Sequence, residues 1–160
     1  MITIAQESPL SEEGRTLLAG SDTALRAVYS AEECFTLDPE ELVADTITFL
    51  IAREEGVALG CVALVDCGTY GEVKRLFVAP QARGKRLSRL LMADLEARAT
   101  VLGHGAVNLE TGDKLEAAVA LYKKLGYRVC GPFGDYPDHP ASLFMTKDLT
   151  AKAANAGAAQ

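Results

Sequence analysis

Between Gly71 and Thr100 the chain reads GEVKRLFVAPQARGKRLSRLLMADLEARAT, and this stretch constrains the fold more than any other. Val73 to Val78 is an apolar run that suits a strand. Ala79-Pro80 closes it, because proline has no N–H to give a sheet ladder. A basic loop, Arg83-Gly84-Lys85-Arg86, opens directly into a helix from about Gly84 to Leu102. Leu87, Leu90, Leu91, Leu95 and Leu102 form that helix's expected core-facing stripe, and Gly103 suits its C-terminal cap. A strand–loop–helix junction gathers free backbone N–H groups and the positive end of a helix at one point, so it can hold an anion. The charges agree with that reading. Lys74, Arg75, Arg83, Lys85, Arg86 and Arg89 are six of the chain's 16 basic residues, and no acid falls between Lys74 and Arg89 although the chain is net −6.

The flanking sequence supplies a sheet. Met1 to Ala5 reads as a short strand, followed by a helical region from Glu12 to Tyr29 that Gly20 is expected to divide. Asp38-Pro39-Glu40-Glu41 starts a short helix ending near Asp45. Thr46–Arg53 and Val57–Val65 form a hairpin across Glu54-Glu55-Gly56, and a further turn leads into the strand at Val73. After the central helix come a strand (Ala106–Glu110), a helix (Leu115–Leu125) and two last strands, Tyr127–Cys130 and Ser142–Lys147. The order predicts a mixed α/β (α+β) domain over 1–149: one mostly antiparallel sheet, helices on both faces and one strand–helix–strand crossover. The Ala-rich tail, 150–160, is expected to be frayed or disordered.

Composition bounds the partners. A sequence pI near 4.9 argues against nucleic acid, and the basic patch is too short for a duplex footprint. No apolar stretch approaches the ~20 residues of a membrane span, and Met1–Leu10 lacks the pattern of a signal peptide. The four cysteines (34, 61, 67 and 130) form no C-x-x-C pair and lie far from both histidines, so free thiols in a reducing cytoplasm are expected and a metal site is not. Neither a P-loop nor a dinucleotide fingerprint is present.

Two stretches resemble the GNAT superfamily of N-acetyltransferases. The loop Arg83-Gly84-Lys85-Arg86-Leu87-Ser88, preceded by VAPQ, is similar to the family's coenzyme A signature, Gln/Arg-x-x-Gly-x-Gly/Ala. In that alignment Arg86 stands for the glycine and Ser88 for the last small residue, which suggests a helical φ at Arg86. The segment Ala118 to Tyr127 (AVALYKKLGY) resembles the family's A-x-x-L-Y-x-x-x-G-F/Y, with Leu115 where an Asn often precedes it. NLETG (108–112) and PFGDY (132–136) resemble a bacterial subgroup, and the resemblance is strongest from Glu72 to Tyr127.

The resemblance implies an acyl-CoA N-acyltransferase fold, a sheet that splays after the Val73–Val78 strand, and acetyl-CoA as co-substrate without a metal. Residues 83–88 would hold the pyrophosphate, and a backbone N–H of Phe77 or Val78 would face the thioester oxygen. Tyr122 would donate a proton to the departing thiolate, since a phenol's reference pKa of ~10 lies near a thiol's. An attacking amine must be neutral, so a base is needed: Glu72 is the candidate and Glu110 the reserve, with a solvated strand-end carboxylate the other reading of Glu72. Tyr29, Glu32, Glu33, Phe133, Asp135 and Tyr136 are candidate liners of the acceptor pocket, with His139 beside them. The expected activity is acetylation of a primary amine on a small molecule or amino acid, with no nucleic-acid or membrane partner. A protein or peptide N-acetyltransferase and a non-catalytic acyl-CoA sensor stay open as alternatives. Dimers are common in the resembled family, so a homodimer is compatible.

Overall fold

The computed structural model describes residues 1–149; the tail expected to fray lies outside the described residues. Seven strands form one sheet in the order β1 (Ile2–Gln6), β2 (Ile47–Glu54), β3 (Val57–Asp66), β4 (Tyr70–Val78), β5 (Ala106–Gly112), β7 (Ser142–Asp148), β6 (Arg128–Cys130). All neighbours are antiparallel except β4 and β5, which are parallel and joined by the crossover helix α2 (Leu87–Val101). Helix α1 (Glu12–Arg26) precedes β2, and α3 (Glu116–Lys124) follows β5.

Strand alternation separates two cores. Leu50 and Ala52 of β2, with Val62 and Leu64 of β3, meet Leu87, Leu91, Met92, Leu95 and Ala99 of α2. Phe49, Ile51, Cys61 and Ala63 point the other way, against Leu17 and Leu18 of α1. Helices therefore cover both faces. Tyr122, with Ala118 packed against it, places α3 on the α2 face.

Three local expectations are corrected. Helix α1 does not break at Gly20; a Cβ there would lie 3.0 Å from the Phe77 ring, so the glycine lets α1 approach β4. The helix expected from Asp38 is a single 3₁₀ turn, Glu41–Val43, which buries only Leu42 and is too short for a helix to sustain itself. Leu90 and Leu102 face solvent, and the buried stripe of α2 takes Met92 and Ala99 instead. No helix among the described residues is long and apolar enough to cross a membrane.

Candidate active site

The cleft begins where the sheet splits. β4 and β5 pair only from Tyr70↔Ala106 to Val73↔Leu109. Beyond that, β5 continues beside β7, and the end of β4 loses its neighbour on that side. A bulge in β4 accompanies the split. Cys61 pairs with Phe77 but Ala63 with Lys74, one residue too many on β4, and Arg75 takes a left-handed φ of +59°. Alternation fixes which amides face the gap. The Ala79 N–H donates to the Leu59 carbonyl on β3 at 2.8 Å, so the Val78 N–H, and that of Leu76 two residues earlier, points away from β3. Of the two expected donors, Phe77 and Val78, Val78 is the one directed into the cleft; the Phe77 ring packs toward Gly20.

The basic loop forms one end. After a 3₁₀ turn, Pro80–Ala82, Gly84 has φ +88° and Arg86 has φ +62° as the N-terminal cap of α2. The helical φ expected at Arg86 is therefore wrong. Read two residues earlier, the signature takes in Gln81, Gly84 and Arg86, with its first glycine at a left-handed position that favours glycine and Arg86 at its last small place. The first i→i−4 bond of α2 runs from Leu90 to Arg86, so the amides of Leu87, Ser88 and Arg89 lack helical partners. Arg83, Gly84, Arg86, Leu87 and Ser88 line a groove of about 690 Å³ that ends at Leu76, Ala118 and Tyr122. Lys85 does not line it, because its ammonium pairs with Glu54 at 2.6 Å.

Tyr122 closes the opposite wall. Its ring stands edge-on to Tyr127 with centroids 5.8 Å apart, and the Tyr127 hydroxyl donates to Glu96 at 2.9 Å. Lys147 donates to the same carboxylate at 2.7 Å, so the network ties α2, the α3–β6 turn and β7 together. Burial pushes the Tyr122 hydroxyl far above its ordinary pKa, and the nearby Glu110 charge adds to this. The expected match with a thiol is absent, and Tyr122 stays protonated at neutral pH.

A second hollow of about 170 Å³ adjoins the groove and shares Leu76, Phe77, Leu115, Ala118 and Tyr122 with it. Glu110 lines it, and burial raises its pKa above the usual carboxylate range. Glu72 does not. It accepts from the Tyr136 hydroxyl and lies 3.5 Å from the Lys74 ammonium, on the part of β4 still paired with β5. Tyr29 lines the hollow but holds the loop before α3: its hydroxyl donates to Asp113 at 2.8 Å and accepts from the Lys114 N–H. Burial raises its pKa to about 12.

The remaining expected liners divide. Glu33 lines the hollow, whereas Glu32 and Asp135 are exposed and Phe133 and Tyr136 pack with Phe144 in an aromatic cluster outside it. His139 accepts from the Ala141 N–H at 3.0 Å and stacks edge-on to Phe35. Leu76, Leu115 and Ala118 are shared by both hollows; Ala118 opens the A-x-x-L-Y segment and Leu115 precedes it, whereas no motif marks Leu76 as a site. The four cysteines are free, and burial raises the thiol pKa of Cys34, the one lining the hollow, which disfavours its thiolate.

Comparison with known proteins agrees with this geometry. The family model described as Acetyltransferase (GNAT) family matches residues 16–127. An IAA acetyltransferase of Azospirillum brasilense is 43% identical over 150 residues, covering 92% of this chain and 98% of its own. An uncharacterized N-acetyltransferase of Bacillus subtilis is 34% identical over 121 residues, 74% of this chain and 80% of its own. Among solved structures, a Klebsiella pneumoniae protein assigned as an acyl-CoA N-acyltransferase superposes with TM-score 0.79 at 35% identity, covering 93% of this chain and 98% of that one.

Proposed function

Because the chain belongs to the GNAT acetyltransferase family and is an N-acetyltransferase, we propose that it carries an acetyl group from acetyl-CoA to a primary amine of a small molecule by direct attack on the thioester. The observation that carries this reading is the meeting of a phosphate-type loop, an open strand edge, a buried tyrosine and a half-buried carboxylate along one cleft. Acetyl-CoA supplies an activated acyl carbon joined to a thiolate leaving group.

The residues divide the work along that cleft. The α2 amides and the guanidinium groups of Arg83 and Arg86 hold the pyrophosphate. The Val78 N–H, aimed away from β3, donates to the carbonyl oxygen as it becomes negative. Glu110 takes the proton that the amine must lose; Glu72 does not, being held by Tyr136 and Lys74. Tyr122 donates to the sulfur as the C–S bond breaks. Its raised pKa makes it a hydrogen-bond donor to the thiolate more than a free source of protons.

The test measures free-thiol release from acetyl-CoA. Tyr122→Phe should lower kcat by about 10²-fold or more, the range of positioned proton donors, with unchanged calorimetric affinity for acetyl-CoA. Equal turnover in both forms would remove Tyr122 from the mechanism.

A further inference from the structure

Of the four charged side chains that line the acceptor hollow, three are already held by an ion pair, a backbone carbonyl or a cap. Arg75 lines it but turns its guanidinium to Asp22 at 2.7 Å and the Leu18 carbonyl at 2.9 Å. Lys74 donates to the Phe35 carbonyl at 2.9 Å and faces Tyr136 and Glu72. Glu33 closes a capping box, accepting from the Ser30 N–H at 3.0 Å and hydroxyl at 3.1 Å. Glu110 is the fourth: among the described residues it has no ion pair or cap, the Ser142 hydroxyl is its hydrogen-bond neighbour, and burial favours its neutral form. The rest of the wall is largely apolar, with Leu25, Val73, Phe77 and Leu115 beside the Tyr29 and Phe35 rings.

Size sets the second limit. The hollow measures about 170 Å³. A cavity of about 150 Å³ lined by aliphatic and aromatic groups accepts benzene, so this one has room for roughly one ring.

We propose that the acceptor is a primary amine on a compact apolar body no larger than a single ring, such as an arylalkyl or short branched alkyl amine. This rests on the acetyl-transfer reading above. It excludes amino acids, whose α-carboxylate would enter beside Glu110 with no free cation among the lining side chains to meet it. It also excludes polyamines, whose second ammonium would lack a partner, and peptides, which are too large.

The experiment compares benzylamine and isobutylamine with phenylalanine, spermidine and a lysine-containing hexapeptide, using the full chain and acetyl-CoA. Thiol release gives kcat/KM, and calorimetric titration into the coenzyme A-loaded protein gives binding. The expected kcat/KM for benzylamine is on the order of 100-fold or more above those of phenylalanine and spermidine, the scale set by burying an unpaired charge. Ala24→Phe, which narrows the hollow from α1, should lower the benzylamine value at least tenfold while sparing isobutylamine. Equal or better turnover of phenylalanine, spermidine or the peptide would overturn the proposal and leave acetyl transfer standing. Benzylamine binding without thiol release would overturn acetyl transfer and support the acceptor class. No binding of either compact amine, or no effect of Ala24→Phe, would overturn the proposal.

Discussion

Arg86 offers a test in which backbone and side chain pull in opposite directions. It caps α2 at φ +62°, ψ +22°, a left-handed position that costs a residue with a Cβ roughly 1–2 kcal/mol. Replacing it by glycine removes that strain but returns conformational freedom to the unfolded chain, worth about 0.4–1 kcal/mol. The difference is a net gain centred on ~0.8 kcal/mol (range about 0–1.6) for Arg86→Gly, or about 2–3 °C in Tm at the centre for a chain of this length. Arg86→Ala keeps the Cβ and should show no such gain. Coenzyme A affinity should move the other way in both variants. Losing one charge-assisted bond to phosphate costs roughly 1.5–3 kcal/mol, which is roughly 10- to 160-fold in Kd. Thermal melts without ligand and titration calorimetry at low salt separate the two effects. A glycine variant that melts no higher than the alanine variant would refute the strain argument. An unchanged Kd would show that the guanidinium does not reach the phosphates.

Other consequences follow from neighbouring contacts. Glu110→Gln should lower kcat/KM by about 10²–10⁴-fold and abolish the rising limb of the pH–rate profile, which in the native enzyme lies above the usual carboxylate range. The same change should raise Tm at neutral pH. A carboxyl whose folded pKa exceeds its unfolded value loses stability as pH rises from the unfolded pKa through the folded one, and glutamine has no proton to lose. A native-like pH profile in that variant would assign the base elsewhere. Tyr127→Phe should cost roughly 1.5–3 kcal/mol in urea unfolding, because Glu96 loses one of two donors and keeps Lys147. Gly112→Ala would place a Cβ 2.4 Å from the Tyr29 ring, so it should cost about 1–3 kcal/mol by overpacking and raise the acceptor KM as the 113–114 loop shifts.

Local signals carried much of the fold. The apolar run ending at Pro80, the Leu-rich helix after the basic loop and the LYKKLGY segment each specify an element by periodicity and capping within one stretch of chain. What escaped depends on partners distant in sequence. Glu72 and Glu110 look alike as carboxylates near strand ends, yet pairing decides their roles. Glu72 sits opposite Asn108 inside the parallel ladder, and Glu110 falls one residue past its end, at the mouth of the split. That register comes from tertiary contacts, which no local pattern reports. Gly20 reads locally as a break and structurally as room for Phe77. Leu90 satisfies a helical stripe on paper, but the face α2 buries is set by where β2 and β3 lie.

The same lesson applies to the basic stretch. Counted along the chain it is a cluster of six positive charges, which suggests one continuous anion field. In the fold the cluster divides. Lys74 and Arg75 turn inward to Glu72, Asp22 and two backbone carbonyls, and Lys85 is taken by Glu54. Arg83, Arg86 and Arg89 are left along the groove, all exposed and, among the described residues, without an ion pair. Two of the six, Lys74 and Arg75, thus line the acceptor hollow already neutralised, and three lie along the groove proposed for the pyrophosphate. An anion should therefore be drawn to the α2 end of the cleft and find no free cation among the side chains that line the Glu110 end. That polarity would orient a substrate with phosphates at one end and a neutral acyl group at the other before any contact with Tyr122 is made.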